Sequence, residues 1–373
     1  IGQANQAYDM ISGKAKQPYL GILFKYSNEP TIQRKALTKN ALVYNHDIKK
    51  LRLAVIGAGN FAKALLLPQL KSNPKVELIA ISDSNCTNAK FTAAKFGFNQ
   101  AFSDNKLVLE DPQIDAILIA TQHNTHAELA IEALRNKKHV YVEKPLALTV
   151  SDLKKVIQLA AELEGRCVLQ VGFNRRFAPI TIAAKDFFKS RTYPLAIMIR
   201  VNAGFLPPEY WLNDEELGGG RLRGESCHFI DLAQSIIEVK PISVKTVATR
   251  ERQSVVQSIE NFSSTITYED GSLASIQYFS NGSKRMSKEL VEIYGGDKTA
   301  VIEDFRKLHL YDRSYKHPRI SKGKGHREEI NHFVDSCLGI GPRQFSIEEL
   351  YWITSTTLSS YQSLSSNSEI IIS

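Results

Sequence analysis

A lysine that directly follows a short apolar run is the first residue of this sequence whose position could support chemistry. The run Val140-Tyr-Val-Glu143-Lys144-Pro145 is typical of a strand that ends in a turn. This places Lys144 at the strand's carboxyl end. An amine there can donate a hydrogen bond to a hydroxyl and stabilise a developing alkoxide, and partial burial can tune its pKa. On the motif alone, a surface lysine in a turn is an equal alternative.

A second candidate is His228, which follows three consecutive glycines at residues 218–220. Glycine has no side chain, so the backbone can approach another group closely. The next residues predict a helix with His228 in its first turns. A histidine with a pKa near neutrality is suited to removing a proton from a hydroxyl. The alternative is a core histidine held by Asp231 or by a backbone carbonyl, and the sequence leaves both open.

The elements that could position these two residues begin with a glycine-rich turn. The apolar run Leu51–Ile56 ends in Gly57-x-Gly59-x-x-Ala62, and a helix-like pattern follows at once. In a dinucleotide site these small residues allow the tight turn, the approach of the pyrophosphate and the packing of the helix. Asp83, after a second apolar run, is placed to bind the ribose of NAD and to repel the 2′-phosphate of NADP. We therefore predict an NAD site, with NADP as the alternative. Its residues are expected to be Gly57, Gly59, Asn60, Phe61, Ala62, Asp83, Thr121, His123, His126, Glu143 and Lys144.

Another polar segment, Thr121-Gln-His123-Asn124-Thr125-His126, follows a third apolar run. Asn124 or Thr125 is expected to cap the next helix. His126 is expected either to contact cofactor or substrate or to have a capping or solvated role. Two histidines three residues apart could suggest a metal site. No cysteine or third ligand is placed to complete one, so we predict no metal.

The order of strand-like and helix-like patterns predicts two domains. Residues 51–172 alternate between them, which indicates a Rossmann-type doubly wound parallel sheet with helices on both faces. The expected strands are 51–57, 76–83, 115–121, 139–143 and 167–172. Residues 173–373 are rich in β patterns and predict an α+β domain with an open, mostly antiparallel sheet for substrate binding and homo-oligomer formation.

A cleft between the two domains should lie at the carboxyl ends of the first domain's strands. The segment Gly172-Phe-Asn174-Arg175-Arg176-Phe177 leaves the first domain at this point. Asn174 and Arg175 are therefore expected to line the cleft, and Arg176 to pair with surface carboxylates.

Composition and charge exclude several other classes of protein. The chain has 373 residues, of which 43% are hydrophobic and 23% are charged, as in a globular protein. Its net charge is +8, but the densest basic stretch, residues 316–327, has no aromatic residues and is interpreted as a solvated loop. We therefore predict no nucleic acid partner. An anionic small molecule or a sugar nucleotide would fit the charge as well.

Targeting features and cysteine spacing favour a cytoplasmic location. No apolar run is long enough to cross a membrane, and no signal-peptide pattern is present. The four cysteines lie far apart, with none of the spacings of a disulfide framework or a zinc site. This pattern is typical of a reducing compartment.

In the order of these motifs the chain resembles the Gfo/Idh/MocA family (glucose–fructose oxidoreductase, inositol dehydrogenase and MocA proteins) over roughly residues 51–370. The resemblance implies a Rossmann domain, an open-faced α/β domain, and NAD(P)-dependent oxidation or reduction of a sugar, cyclitol or similar polyol. It makes Lys144 the catalytic lysine and His228 the catalytic histidine. We expect hydride transfer in which Lys144 polarises the substrate oxygen and His228 exchanges its proton. The substrate-binding residues are expected to be Asn174, Arg175, Trp211, Arg223, Glu225 and Asp231.

The chain departs from the family pattern at one position. Many family dehydrogenases carry an acidic residue four positions before the catalytic histidine, where this chain has Gly224. The nearest acid is Glu225. One residue along a helix is a rotation of about 100°, so Glu225 need not point where the usual acid does, and its role stays open. The replaced acid favours the alternative of a non-catalytic NAD(P)-binding sensor, which the retained Lys144 and His228 oppose.

Residues 203–231 are similar to a subgroup of the family in which this module is fused behind a zinc-type alcohol dehydrogenase. Residues 1–27 resemble the last helix and strand of such a module, and residues 28–50 are polar and predict a linker. The chain, which lacks an initiator Met, is therefore expected to be the C-terminal part of a two-module protein. The subgroup is associated with surface-polysaccharide biosynthesis, which implies a sugar-nucleotide or glycan-precursor substrate.

Overall fold

A computed structural model describes most of the chain. The described residues are 9–12, 14, 35–37, 50–249, 260–313, 315–321, 323–341 and 345–372. Of the predicted alcohol dehydrogenase remnant, 1–27, the described part includes a helical turn at residues 9–11, and the expected strand lies outside the described residues. Within the predicted linker, 28–50, strand β1 (Lys35–Leu37) pairs with the first sheet. That short segment is an edge strand and not linker.

The first domain is built on a seven-stranded sheet. After β1 its strands are β2 (Leu51–Ile56), β3 (Val76–Ser82), β4 (Gln100–Phe102), β5 (Ala116–Ile119), β6 (His139–Val142) and β7 (Leu169–Val171). The strand order is β1-β4-β3-β2-β5-β6-β7, and only the β1–β4 pair is antiparallel. Without β1 this is the Rossmann strand order. Successive strands are added toward one edge of the sheet up to β4, and from β5 onward they are added on the other side of β2. The predicted Rossmann sheet is therefore confirmed.

Helices connect these strands and cover the sheet. The helix after the glycine turn begins at Asn60, passes through a π turn at Ala62–Leu66 and continues as α1 (Leu67–Ser72). The others are α2 (Cys86–Phe96), α3 (Lys106–Leu109), α4 (His126–Arg135) and α5 (Val150–Glu162). In α4 the apolar residues at helical spacing are all buried, as the pattern predicts. Each buried leucine among them contributes roughly 1.5–3 kcal/mol, and each buried alanine contributes less.

The second domain contains a nine-stranded sheet. Its strands are β8 (Ala196–Asn202), β9 (Pro241–Ala248), β10 (Phe262–Tyr268), β11 (Leu273–Phe279), β12 (Glu289–Gly295), β13 (Lys298–Glu303), β14 (Lys307–Tyr311), β15 (Tyr315–Ile320) and β16 (Ile370–Ile371). The order is β15-β14-β13-β12-β8-β11-β10-β9-β16, and only β8 and β11 are parallel. The predicted mostly antiparallel sheet is confirmed. Because β15 lies within residues 316–327 for most of its length, that stretch is not simply a solvated loop.

Helices of the second part of the chain also pack on the first domain. The helices here are α6 (Pro179–Phe187), α7 (Gly220–Gly224), α8 (Cys227–Ile237), α9 (His326–Cys337) and α10 (Ile347–Ser366). Ile330, Phe333 and Val334 of α9 belong to the same buried cluster as Leu53 of β2, and the rings of Phe333 and Tyr141 lie 5.6 Å apart. The segment that precedes α9 is thereby held near the first sheet. Among the described helices, none has the length and apolar character of a membrane span.

Candidate active site

The polar residues that follow β5, β6 and β7 face the second domain across a cleft of about 390 Å³. Both predicted catalytic residues, Lys144 and His228, line it. The other predicted site residues that line the cleft are Phe61, Thr121, His123, His126, Glu143, Asn174, Arg175, Trp211 and Glu225. The topology therefore brings together residues that lie far apart in the sequence.

The glycine turn has the geometry that a dinucleotide needs. Gly57 has φ +99°, and a Cβ there would lie 2.4 Å from the carbonyl oxygen of Ala120, so only glycine fits. A Cβ on Gly59 would meet nothing within 4 Å, which leaves open space beside the start of the helix at Asn60. Ala62 is fully buried, as expected for close packing of the helix. Open space at a helix N-terminus fits a pyrophosphate.

Asp83 is tied to the same turn. Its carboxylate accepts hydrogen bonds from the backbone N–H groups of Ala58 at 2.8 Å and Asn85 at 2.9 Å. The acid therefore stands at the carboxyl end of β3, next to the turn, where the ribose of a dinucleotide binds in this fold. These residues fit NAD.

The amine of Lys144 is held between two oxygens. Nζ donates to Glu225 Oε1 and to the carbonyl oxygen of Gly224, each at 2.9 Å. Burial alone would lower the pKa of Lys144, but the Glu225 carboxylate offsets this effect, and the net pKa is raised. The side chain, 12% exposed, is therefore a buried, protonated donor that faces the cleft.

Glu225 reaches Lys144 because no continuous helix joins residues 220 and 237. The helix α7 ends at Gly224 and α8 begins at Cys227, while Glu225 itself has φ −122° and ψ −39°. The argument from rotation assumed a regular helix, which the structure does not have here. With the helix interrupted, the Glu225 carboxylate reaches the amine of Lys144.

Gly224 explains why the acid cannot stand at its usual position. A Cβ at residue 224 would lie 2.8 Å from Leu212 Cδ1, 2.9 Å from the Gly218 carbonyl oxygen and 3.0 Å from His123 Cε1. Real Cβ atoms are not found so close to three neighbours. In this backbone only glycine fits at 224, so the acid must come from another position.

His228 lies at the start of α8, 9% exposed, and lines the cleft. Its Nδ1 is buried and has no hydrogen-bond partner among the described residues. Burial, and then the charges of Arg175 and Lys144, hold the pKa of His228 well below its usual range. The imidazole is therefore neutral at neutral pH and can accept a proton.

A buried carboxyl pair lies beside Lys144. Tyr141 donates its hydroxyl to Glu143 Oε1 at 3.2 Å, and burial raises the pKa of Glu143 to about 7. Burial also raises the pKa of Glu329 in α9, whose buried Oε1 has no hydrogen-bond partner among the described residues. A Cβ on Gly172 would lie 2.8 Å from Glu143 Oε1, so Gly172 makes room for this carboxyl.

His126 holds the loop that carries Lys144. Its Nδ1 lies 2.9 Å from the carbonyl oxygen of Pro145, and its Nε2 lies 3.2 Å from that of Thr121. Burial lowers the pKa of His126 to about 4. The predicted cap of the helix is only partly found. Thr125 is the N-cap residue of α4, but no side-chain hydrogen bond caps the helix.

His123 connects the two domains. Its Nδ1 lies 2.7 Å from the carbonyl oxygen of Gly218, and its ring meets the ring of Trp211 edge-on at 4.8 Å. This ring contact helps to hold the indole of Trp211 in place at the wall of the cleft. In the described ranges, no three His, Cys, Asp or Glu side chains form a group that could hold a metal ion.

Arg175 lines the cleft but is bound to a buried acid. Its guanidinium donates to both carboxylate oxygens of Glu289, at 2.8 and 3.2 Å, and Lys324 Nζ donates to one of them at 2.8 Å. Burial would raise the pKa of Glu289, but these two cations lower it to about 2. Asn174 donates its amide to the carbonyl oxygen of Lys324 at 2.8 Å.

Two predicted substrate-binding residues do not line the cleft. Asp231 is fully buried and accepts a hydrogen bond from Arg176 Nε at 2.9 Å. The guanidinium of Arg223 lies 4.3 Å from the ring centre of Tyr361. Both have structural contacts in place of the predicted contacts with substrate. Arg176, expected to pair with surface carboxylates, is itself buried.

The cleft also contains residues that sequence reasoning missed, namely Tyr210, Lys288, Lys324 and His326. No motif surrounds Lys288. Lys324 and His326 fall in the basic stretch that was interpreted as a loop. The one sequence signal for their position was the glycine between them, Gly325. In the structure it has φ +92°, and a Cβ there would lie 2.2 Å from the Asn174 carbonyl oxygen, so the backbone passes close to the cleft residue Asn174.

Two models of one family match this chain. Residues 51–173 match the oxidoreductase family with an NAD-binding Rossmann fold, GFO_IDH_MocA, and residues 194–301 match the GFO/IDH/MocA C-terminal domain. The chain belongs to the Gfo/Idh/MocA family. The predictions of an NAD-binding Rossmann domain and of an NAD(P)-dependent oxidoreductase are thereby confirmed.

Relatives and solved structures agree with this assignment. The uncharacterized oxidoreductase YrbE of Bacillus subtilis (strain 168) is 28% identical over 69% of this chain and 75% of its own length. The scyllo-inositol 2-dehydrogenase (NAD(+)) of the same organism is 26% identical over 75% of this chain and 80% of its own. A structure of levoglucosan dehydrogenase in complex with NADH and levoglucosan superimposes with a TM-score of 0.76 and 21% identity, covering 87% of this chain and 99% of its own.

Proposed function

We propose that this oxidoreductase moves a hydride between the nicotinamide of NAD and a hydroxyl-bearing carbon of a sugar, a cyclitol or a sugar nucleotide. The proposal rests on the meeting of Lys144, Glu225 and His228 in one cleft at the carboxyl edge of the first sheet. A charged amine and a neutral imidazole that face the same space meet the needs of a hydroxyl that loses a proton. The relatives named for scyllo-inositol and levoglucosan support a polyol substrate.

The coenzyme would be held by the first domain. Gly57, Gly59, Asn60, Phe61 and Ala62 would surround the pyrophosphate, and Asp83 would bind the adenosine ribose. The cleft residues Thr121, His123, His126 and Glu143 would lie around the nicotinamide half. When bound, NAD accepts or supplies the hydride. The carboxylate of Asp83 favours NAD over NADP because it would repel a 2′-phosphate.

The protein's own residues would divide the work on the substrate. Lys144 would donate a hydrogen bond to the reacting oxygen and stabilise negative charge on it, while Glu225 keeps the amine protonated and in place. His228 would accept the hydroxyl proton on its neutral ring. Asn174, Arg175 and Trp211 would supply the remaining contacts, with Trp211 offering an apolar face to a sugar ring.

Three further points are part of the proposal. The sequence resemblance supports a substrate from surface-polysaccharide biosynthesis, and the cysteine pattern supports a cytoplasmic location.

The outer face of the second sheet exposes Met198, Val247 and Leu273. Because their register places them on one face, this surface is suited to pairing with a second copy of the chain.

The rival hypothesis of a non-catalytic sensor rested on the missing acid at Gly224. Glu225 supplies a carboxylate at 2.9 Å from Lys144, so that argument loses its basis.

The variant Lys144→Ala tests the proposed reaction. We expect kcat for polyol oxidation with NAD to fall by roughly 10²–10⁴-fold, the usual contribution of a positioned proton-transfer or polarising group. NADH should still raise the melting temperature. Lys154→Ala, at an exposed position of α5, is the matched control.

Three results would contradict the proposal in different ways. An unchanged kcat in Lys144→Ala would remove this lysine from the mechanism. A wild-type protein that NADH does not stabilise would contradict the coenzyme site. Stabilisation by NADH without turnover on a broad panel of sugars and cyclitols would favour the sensor.

A further inference from the structure

The second domain lines its side of the cleft with more positive than negative charge. Arg175 and Lys324 line the cleft, and both donate to the single carboxylate of Glu289, which is fully buried. One carboxylate therefore faces two cations. The ion pair of Lys144 with Glu225 is neutral as a unit and does not offset the remaining charge.

Lys288 adds a cation whose side-chain amine has no hydrogen bond or ion pair with the described residues. It precedes Glu289 at the start of β12, is exposed and lines the cleft. Burial is the main cause of the lowered pKa of Lys324, and the charges of Arg175 and Lys288 lower it further. The pKa of Glu225 is lowered mainly by Lys144, with a smaller contribution from Lys288. Lys288 lines the same cleft as Lys324 and the Lys144–Glu225 pair, so a molecule bound in that cleft can contact it.

The helix α9 begins at the same edge of the cleft. Its N-cap residue, Gly325, has no side chain that could accept from the first N–H groups of this 12-residue helix. A helix N-terminus carries partial positive charge and binds anions. His228 lines the same cleft, and its buried Nδ1 has no partner among the described residues. Burial, and then the surrounding cations from Arg175 to Lys324, lower the pKa of this imidazole.

We infer that the substrate carries an anionic group, a carboxylate or a phosphate, away from the reacting hydroxyl, and that Lys288 and Lys324 bind it at the start of α9. This inference rests on the proposed function and specifies the substrate class of the same site. An uncharged polyol would leave Lys288 and the excess cation beside Glu289 without a partner. An anion would pair with both lysines through charge-assisted hydrogen bonds.

The competing source of negative charge is the coenzyme. The ring of His326 lies 6.2 Å from that of Phe61, in the glycine turn, so the pyrophosphate of NAD could reach these residues. The experiment must therefore measure the affinity for NADH and the preference for an anionic sugar separately.

Binding of three sugars to the NADH-loaded protein tests the inference. Glucose, glucuronate and glucose 6-phosphate share a ring and differ in charge, and thermal shift titrations give an affinity for each. We expect both lysines to favour the charged sugars over glucose, and the two anions separate a carboxylate from a phosphate site. Lys288→Met should weaken anion binding by roughly 10-fold to 100-fold, the effect of one lost charge-assisted hydrogen bond. Lys307→Met, an exposed lysine of β14 outside the cleft lining, is the charge-matched control and should have no effect.

Several outcomes would overturn the inference. One is an equal or smaller shift with both anions than with glucose, including no shift at all. Another is anion binding that neither Lys288→Met nor Lys324→Met weakens. A loss of NADH affinity in these variants, with an unchanged anion preference, would assign the lysines to the coenzyme. If NADH does not stabilise the protein, the proposed function fails instead. In that case the three sugars are compared without coenzyme, and an anion that binds no better than glucose overturns the inference.

Discussion

The variant Gly224→Ala tests the physical reason for the displaced acid. An added Cβ would meet Leu212 Cδ1, the Gly218 carbonyl oxygen and His123 Cε1 at 2.8–3.0 Å, inside ordinary contact distance. The carbonyl cannot retreat easily because His123 Nδ1 lies 2.7 Å from it. Overpacking of this kind lowers the free energy of unfolding by about 1–3 kcal/mol. Replacing a glycine in a helix by alanine raises it by roughly 0.5–1 kcal/mol. We therefore expect the free energy of unfolding to fall by about 1–2 kcal/mol.

Thermal denaturation with and without NADH measures this effect. For a chain of 373 residues, a loss of that size corresponds to a fall in melting temperature of roughly 1–3 °C. Gly323→Ala is the matched control, because a Cβ at Gly323 meets nothing within 4 Å and that residue has no positive φ. A melting temperature for Gly224→Ala equal to or above that of the wild type, with Gly323→Ala also unchanged, would refute the argument that residue 224 has no room for a side chain.

Three other predictions concern charge in the cleft. Glu225→Gln removes the carboxylate that raises the pKa of Lys144, so the alkaline limb of the kcat/KM profile should move to lower pH, and a fixed limb would contradict this role. Asp83→Asn should reduce the preference for NAD over NADP by roughly 10-fold in measured Kd ratios; an unchanged ratio would show that Asp83 does not select the coenzyme. Burial raises the pKa of Glu143 from 4.5 to about 7, so its folded form binds a proton more tightly than the unfolded chain, and stability from this group falls as pH rises through that window. Glu143→Gln should therefore gain stability relative to the wild type between pH 5 and pH 8 in denaturant titrations, and a difference independent of pH would contradict it.

Local patterns were sufficient to predict the parts of the site that belong to the first sheet. A strand, a glycine turn and a helix follow one another within a few residues at Gly57, and Lys144 directly follows a strand, so short-range order alone places them at one edge. In the second sheet, strands with clear alternation, such as β10, are among the β patterns from which the antiparallel sheet was predicted. The strand β4 and the segment β13 to β15 were not predicted, because three residues show no period and basic composition hid the last hairpin.

The role of Glu225 could not be predicted from spacing. The argument from rotation along a helix requires that the helix be regular, and the break between α7 and α8 depends on the contacts of Gly224 with Leu212 and His123. That Arg223 and Asp231 do not line the cleft has a related reason. Their nearness to His228 in sequence says nothing about which buried partner, such as Arg176 for Asp231, holds each side chain.

The sequence by itself determined the coenzyme fold and brought forward Lys144 and His228 as candidates, because strand, turn and helix patterns are local and the order of parallel strands brings their ends together. Only the tertiary structure decided the charge of the cleft. The packing of α9 on the first domain brings Lys324 and His326 to the cleft, and the burial of Glu289 determines which of the surrounding cations are neutralised. Both depend on contacts between residues more than a hundred positions apart, which no local pattern records.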